Sequence, residues 1–494
     1  MIMKLIRKKM RIKLMKNTKQ LLLINLLFHF IQPVLAQELP ILTLETVVNS
    51  AVQAFPTLMA SEQRIKAAQG EYVSAEGAFD TVLKSQNRWS VSGVYENQNN
   101  EVSVEQPTTL GGATFFGGWR RGSGDYPLYD GKNLTASEGE FRVGVNIPLW
   151  RNRETDRRRT SLKQAEFGQN IARHDYDQML LDVQRQTAYR YWDWVLAGQR
   201  LKIAEQLLSI AEQRDAAVRQ RATAGEIAKI EIVDNQRAII ERRERWVAAQ
   251  RFLEQAAIQL SLYWRNSQGQ PQLPSQAQLP IELASTARYQ ILPYSSAVKF
   301  AKQERPELKR LALQIEQTQA ELELQNNQIA PGIDLSVSTA QDIGDNSNKK
   351  DKPNRNELYV GLNLDVPLQR RIASGRIQVA TANLKRLLWE QQLQENRIEA
   401  EIKDVLSALT AVQKRLLLSQ KQQQAAQQLE EGERTRFELG DSTLLFVNLR
   451  EIANGDAKLM IAETTTTLFK AYADYQAALT LFSVKKPSLD ILLN

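Results

Sequence analysis

The sequence predicts a mainly α-helical fold with a β component, built as one unit written twice: helix, strand, strand, long helix, returning helix. Three observations point to it. Residues 143–152 read VGVNIPLWRN and residues 360–371 read VGLNLDVPLQRR, with Gly144 and Gly361 217 positions apart. Each phrase leads into a long proline-free tract, 153–222 and 373–437. Just before each tract, apolar and polar residues alternate with period two, the mark of a strand with one oily face.

The chain of 494 residues opens with eight Lys and Arg in its first 20 positions, then LLLINLLFHFI and Val34-Leu35-Ala36. A basic lead, an apolar core of about 11 residues and a small-residue cleavage pattern read as a secretory signal peptide over 1–36, too short to span a bilayer. Met10 and Met15 are alternative start positions. The formal charge of +8 belongs to that segment, because it holds eight of 64 basic residues and none of the 56 acids, leaving a balanced mature chain. Such a balance gives no reason to expect a nucleic-acid partner. With no Cys and only His29 and His174, the chain offers no disulfide, no thiolate site, no multi-His metal site and no His-based triad. His174, in ARHDYDQ, reads as a solvated helix residue.

The first repeat spans 37–265. A helix around Pro56 leads into a β-hairpin at about 85–149, where Trp89, Val91 and Tyr95, then Phe141, Val143, Val145 and Ile147, alternate with polar residues. The stretch between them, GGATFFGGWRRGSGDYPLYDGKN, carries turn chemistry and reads as a long polar tip. A long helix over about 153–222 and a returning helix over about 227–264 follow. A Pro- and Gln-rich spacer occupies 266–299, and a second repeat spans 300–484: a helix around Pro306, a hairpin at about 332–367, a long helix over about 373–437 and a return at about 443–483, before a tail at 485–494. Ile402, Val405, Leu409, Val412 and Leu416 step by three and four, a coiled-coil seam. At 1.5 Å per residue each long tract spans about 100 Å.

Four strands of about ten residues with one apolar side match a membrane β-strand. Four cannot close a barrel, and open edges are not tolerated in lipid, so about three chains are expected to share one wall around a wet lumen. Pro148 and Pro367 lack the ladder N–H and suit a first helical turn, which assigns them to the strand-to-helix transition. Arg221 with Gly225, and Arg436 with Gly440, each four apart between helical runs, mark tight helix-to-helix turns.

With these elements in place, the chain resembles the outer membrane efflux proteins of the TolC type across the whole mature sequence. The resemblance implies a homotrimer whose twelve strands form one barrel in outer-membrane lipid, continued by a helical tunnel across the periplasm. It further implies a channel of a tripartite efflux or type I secretion system that works with a periplasmic adaptor and an inner-membrane transporter and needs no cofactor. The helix turns at 221–231 and 436–449 correspond to the family's tunnel entrance, so Arg221, Gly225, Arg436 and Gly440 are the expected adaptor contact. Entrance candidates are Glu231, Phe437, Glu438, Asp441 and Phe446. Members commonly place an acid six residues after the turn glycine; Glu231 keeps it, whereas Phe446 replaces it in the second repeat and Leu449 stands where some members carry a second acid. Phe437 fits either a gate or ordinary helix packing.

Arg151, Arg153, Arg157, Arg158 and Arg159 crowd a helix start that disfavours cations; they either pair with nearby acids and neighbouring chains or form a positive collar for anionic cargo. Tyr189, Tyr191, Trp192 and Trp194 lie about 55 Å along the first long helix, too far for a membrane belt, and are expected to pack at a waist. Phe115, Phe116, Trp119, Tyr126 and Tyr129 are rich for a loop and suggest a lid or a polysaccharide contact. Asn133-Leu134-Thr135 has the form of a glycosylation acceptor and reads as chance. No phosphate loop, nucleophile motif or pKa-shifting carboxylate pair indicates an enzyme. The alternative reading is a periplasmic coiled-coil scaffold or adaptor with no pore; a second keeps the pore and takes a secreted protein as cargo.

Overall fold

A computed structural model describes residues 40–127, 133–281, 290–345 and 356–482. The signal segment, Tyr129, part of the spacer and the C-terminal tail lie outside the described residues. Helix α1 (Leu44–Ala54) stops at Phe55, and α2 (Pro56–Glu76) restarts at once because Pro56 needs no N–H partner in a first turn. A 3-10 turn, Gly77–Phe79, leads to β1 (Val82–Ser90). Then come β2 (Asn97–Pro107), β3 (Thr114–Gly124), β4 (Glu140–Pro148), α3 (Arg157–Thr223) and α4 (Ile230–Ser261). The second half gives α5 (Tyr294–Glu304), α6 (Pro306–Asn327), β5 (Gly332–Asp342), β6 (Glu357–Asp365), α7 (Arg371–Glu438) and α8 (Leu444–Ala478). The longest helices, α3 with 67 residues and α7 with 68, each run about 100 Å.

The six strands form one antiparallel meander, each paired with its sequence neighbours. This corrects the expectation of two strands in the first half. The segment GGATFFGGWRRGSG is no loop tip: most of it is β3, paired with β2 on one side and β4 on the other. Phe115, Phe116 and Trp119 therefore belong to the sheet. Partners across the ladder share a face, so the register fixes two continuous surfaces. One carries Leu83, Val104, Gly117, Val143, Thr339 and Leu358 along a single row, with Val102, Trp119, Phe141, Val337 and Val360 in neighbouring rows. The other carries Gln86, Glu101, Arg120 and Glu140 in one row. Arg120 and Arg142 both pair with Glu140, at 2.7 and 3.2 Å.

The repeated glycines sit on that polar surface. A Cβ on Gly144 would stand 2.5 Å from the Phe116 ring and 2.6 Å from Ser338, and one on Gly361 would stand 2.6 Å from the Ser336 hydroxyl oxygen. Each absence of a side chain leaves room for the cross-strand neighbour. Both prolines lie at the strand side of the transition, not in the first turn of a helix. Pro148 closes β4, but α3 begins at Arg157, with the Asp156 side chain accepting from the Arg159 N–H at the N-cap. Pro367 follows β6, and α7 begins at Arg371 after Arg370 in a left-handed conformation, φ 52°. The chain needs several residues to swing from the sheet onto the helical axis, so the proline ends the ladder and a separate cap starts the helix.

Among the helices, α2, α3, α6 and α7 pack side by side near the sheet, and α4, α3, α8 and α7 do so at the far end. The α7–α8 seam holds Ile398, Ile402, Val405, Leu409, Val412 and Leu416 against Leu468, Tyr472 and Tyr475. Midway, Tyr191, Trp192 and Trp194 pack with Leu42, Val47, Leu253, Leu260 and Phe469, and Leu279 of the spacer leans on them. Trp192 stacks on Phe469 with ring centroids 4.0 Å apart. No helix among the described residues is long and apolar enough to cross a membrane.

Candidate functional site

The far end of the helical layer is built by two similar turns. At the end of α3 the Gly225 N–H donates to the Ala222 carbonyl (3.3 Å) and the Glu226 N–H to the Arg221 carbonyl (3.0 Å). At the end of α7 the Gly440 N–H donates to Phe437 (3.2 Å) and the Asp441 N–H to Arg436 (2.8 Å). These paired bonds satisfy helix-end carbonyls and require a left-handed residue, here Gly225 at φ 80° and Gly440 at φ 84°. The arginine four residues earlier supplies the accepting carbonyl and also steadies the turn with its side chain. Arg221 contacts Glu226 at 3.2 Å, and Arg436 donates to the Asp441 carbonyl at 3.2 Å. Nothing lies within 4 Å of a Cβ built on either glycine, so both turns present bare backbone.

The entrance candidates divide between the two turns instead of forming one cluster. Glu231 is half-buried in the first turn of α4, while Glu438, Asp441 and Phe446 are exposed around the α7–α8 turn. Leu439, Leu445 and Leu449 are exposed beside Phe446 and give this turn an apolar surface. Phe437 points the other way. It is buried with Val218, Leu444 and Val447, with Ile227 and Ile232 alongside, and the Arg221 guanidinium lies 5.2 Å from its ring centre. Of its two sequence readings, this places Phe437 in the packing that joins the two turns.

Sequence reasoning missed a charged cluster about 16 Å above the turns by helical rise. Glu451 on α8, 1% exposed, accepts from Arg214 of α3 at 2.9 Å and from Arg242 of α4 at 2.7 Å. Asn448 accepts from the same two guanidiniums at 2.8 and 3.2 Å and donates to Asp234 at 3.1 Å. Arg242 also reaches the Leu207 carbonyl at 2.7 Å, and Arg434 of α7 stands 3.5 Å from Glu451. Burial lowers the Arg214 pKa; Glu451 works against this, and the cations Arg242 and Arg434 add to it. The cluster ties α3 and α4 to α7 and α8. Its signal in the sequence is phase: Asn235 and Arg242 fall on the buried stripe of α4 that continues as Ala249, Leu253 and Leu260.

The arginines at the sheet end are mostly paired. Arg151 meets Asp365 at 2.5 Å, Arg157 meets Glu321 at 3.2 Å and Arg159 meets Asp156 at 2.7 Å. Arg158 is exposed and, with Arg157, Arg376, Asp156, Glu321 and Asp334, lines a 1190 Å³ cavity at the junction of sheet and helices. The glycosylation-like Thr135 is fully buried, its hydroxyl held between Gly122 and Ala136. Among the described residues, no group of His, Asp or Glu is arranged to hold a metal.

This architecture recurs in solved structures. Over 88% of its length the chain superposes on the outer-membrane channel OprN, covering 89% of that chain with 15% identity and a TM-score of 0.62. The open state of the Neisseria gonorrhoeae MtrE outer membrane channel is matched over 88% of its length, with 15% identity and a TM-score of 0.62. The outer membrane protein VceC from Vibrio cholerae is matched over 95%, with 16% identity and a TM-score of 0.60. No protein-family model and no curated protein matches. The fold is that of TolC-type outer membrane channels, mainly helical with an antiparallel sheet.

Proposed function

We propose that this chain is the outer membrane channel of a tripartite efflux or type I secretion system, conducting cargo passively from an inner-membrane transporter and a periplasmic adaptor. The observation that carries the reading is the sheet: one surface carries apolar residues in every strand, the other is largely polar and charged, and both edge strands are exposed almost throughout. Such a ribbon is stable in lipid only when its edges are closed by other copies.

A homotrimer of a duplicated unit meets that need and also accounts for the helices. α4 and α7 flank the four-helix layer, and each leaves an apolar stripe uncovered: Val233, Ile240 and Val247 at seven-residue spacing on α4, Leu417, Leu418 and Leu429 on α7. Pairing α4 of one copy with α7 of the next closes a helical tunnel in the periplasm beneath the barrel. The Gly225 and Gly440 turns then form its inner end, with Arg221 and Arg436 as the adaptor contact. Glu231, Glu438, Asp441 and Phe446 surround the entrance. Pro148 and Pro367 mark where barrel gives way to tunnel. The neighbours of this fold are channels rather than enzymes, in keeping with a passive role. A poreless scaffold has no use for apolar residues lined up on one face of all six strands.

The decisive experiment is reconstitution of the purified mature protein. A detergent-extracted trimer that carries current across planar bilayers is expected; a water-soluble monomer that leaves bilayers silent overturns the reading. Replacing Gly225 or Gly440 with Trp is expected to abolish export while trimers still reach the membrane, because a large side chain blocks the close approach that bare backbone permits. Export at the parental rate removes the adaptor assignment.

A further inference from the structure

We propose that the β2–β3 hairpin is part of the barrel wall, so that three copies close an eighteen-stranded barrel rather than the twelve-stranded one the resemblance implies. The inference rests on the trimeric pore reading and concerns how each copy meets the next. Six strands per chain run in unbroken register, and the half of the hairpin nearer its turn keeps the two-faced pattern, with Val102, Val104, Phe115 and Trp119 on the apolar side, whereas Gln98, Asn100 and Arg121 occupy that side towards the other end. Val102 and Val104 continue the apolar surface between Leu83 and Trp119, while Ser103 pairs with Lys84 and Gly118 on the charged surface. A hairpin that folded into the lumen or out into water has no reason to keep that alternation in phase with β4.

The hairpin is also held from below. Its turn at 108–113 closes with the Thr108 N–H on the Ala113 carbonyl at 2.9 Å. Gly112, at φ 74°, lies so close to the α3 entry that a Cβ would stand 2.6 Å from the Asn152 carbonyl oxygen and 3.0 Å from Pro148. The turn therefore sits against the strand-to-helix junction, in the plane of the wall. The outer edges belong to β1 and β6, and the partner that fits them is a second copy of this chain. On the charged surface β1 presents Arg88 and β6 presents Glu357, so a β1–β6 seam between copies brings these opposite charges together, while Lys84 and Asp365 at the other end are paired within the chain, with Glu105 and Arg151.

Barrel diameter grows roughly in proportion to strand number, so eighteen strands give about 1.5 times the width of twelve and about twice the cross-section. On this reading β2–β3 is the element that widens the barrel.

The chain has no cysteine, so single-cysteine variants report each position without background. In reconstituted trimers, Val102→Cys, Val104→Cys and Phe115→Cys are expected to lose reaction with a charged, water-soluble maleimide, while Ser103→Cys and Phe116→Cys keep it through the lumen. Val337→Cys and Ser338→Cys on β5 serve as the reference pair. Uniform labelling along β2 and β3, with the β5 pair still alternating, places the hairpin outside the wall and overturns the proposal. Loss of alternation in the β5 pair as well overturns the pore reading itself. A strand count by electron cryo-microscopy gives an independent answer: eighteen supports the proposal and twelve rejects it.

Discussion

Replacing Glu451 with Ala removes the one carboxylate that, among the described residues, pairs with both Arg214 and Arg242. The Arg242 side chain is 3% exposed and that of Arg214 15%, so neither guanidinium can recover full hydration without local opening. Removing one partner of a buried ion pair costs about 3–5 kcal/mol, because the remaining charge stays buried and uncompensated. Asn448 keeps a contact with both arginines, which argues for the lower half of that range. Since about 1.4 kcal/mol corresponds to tenfold in an equilibrium, opening at the helical end is expected to rise by roughly a hundredfold or more. Amide hydrogen exchange in the turn-proximal parts of α3, α4 and α8, compared with the waist as an internal reference, reads this directly. Glu451→Gln, which keeps the shape and an acceptor oxygen, is expected to fall between wild type and Ala. Exchange accelerated less than tenfold by Glu451→Ala refutes the reasoning, because it means that the two guanidiniums already reach water.

Lys in place of Val143 or Val360 puts a charge on the apolar surface of the sheet and is expected to destabilise the membrane-embedded protein by about 2–4 kcal/mol near the bilayer midplane; urea unfolding from liposomes measures it, and an unchanged midpoint contradicts a lipid-facing position. Asp215 is held below the ordinary carboxylate range by the Arg219 hydrogen bond, with burial opposing and Asn235 assisting. Its folded-state pKa is depressed, so its contribution is present above an unfolded value of about 4 and is lost as pH falls through the folded one; Asp215→Asn is expected to flatten the loss of melting temperature in that acid range, and a parallel profile rejects the link. Gly198 packs so tightly under Leu279 that a Cβ would stand 2.5 Å from its methyl carbon. Gly198→Leu is therefore expected to dislodge the spacer at a cost of about 1–3 kcal/mol, seen as new protease cleavage near residues 270–280; an unchanged digest shows that the spacer has room to move.

The parts legible in the sequence were those set by local rules. Proline-free tracts with three-and-four spacing gave α3 and α7, and glycine after a helical run gave both turns, since only a residue tolerating positive φ closes that pattern. β2 and β3 escaped for an equally physical reason. Gly117, Gly118, Gly122 and Gly124 read as turn punctuation, yet Gly118 is glycine because a Cβ would lie 2.7 Å from the Val102 carbonyl oxygen and 2.8 Å from Ser103. β2, NQNNEVSVEQP, has only two apolar residues to show its alternation. Tertiary crowding, invisible along the chain, selected Gly118. The Glu451 cluster was hidden in another way: Arg and Glu in a helix ordinarily mean a solvated face, and only their coincidence with the buried stripe of α4 and α8 betrays an interior role.

The waist follows from a mismatch of lengths. α3 and α7 run the full height of the layer, while their neighbours come in shorter pieces, 21 and 32 residues beside α3, 22 and 35 beside α7. Where one short helix ends and the next begins, unsatisfied backbone groups and a gap in the packing must be filled together. In the first half, Phe55 at the start of α2 stacks on Tyr263 just past α4, with centroids 5.0 Å apart. In the second half, Arg305 at the start of α6 donates to the Ala478 carbonyl at the end of α8 (3.3 Å) and bonds Glu307 and Glu401 at 2.7 and 3.0 Å. A cation at a helix C-terminus is favourable by its dipole, and the two carboxylates keep that cation compensated where it is buried. The large aromatics of α3 sit between these joints, where Trp194 is wholly buried. Their bulk covers the stretch that no full-length neighbour reaches, so the aromatic run that looked too deep for a membrane belt is explained by where the shorter helices stop.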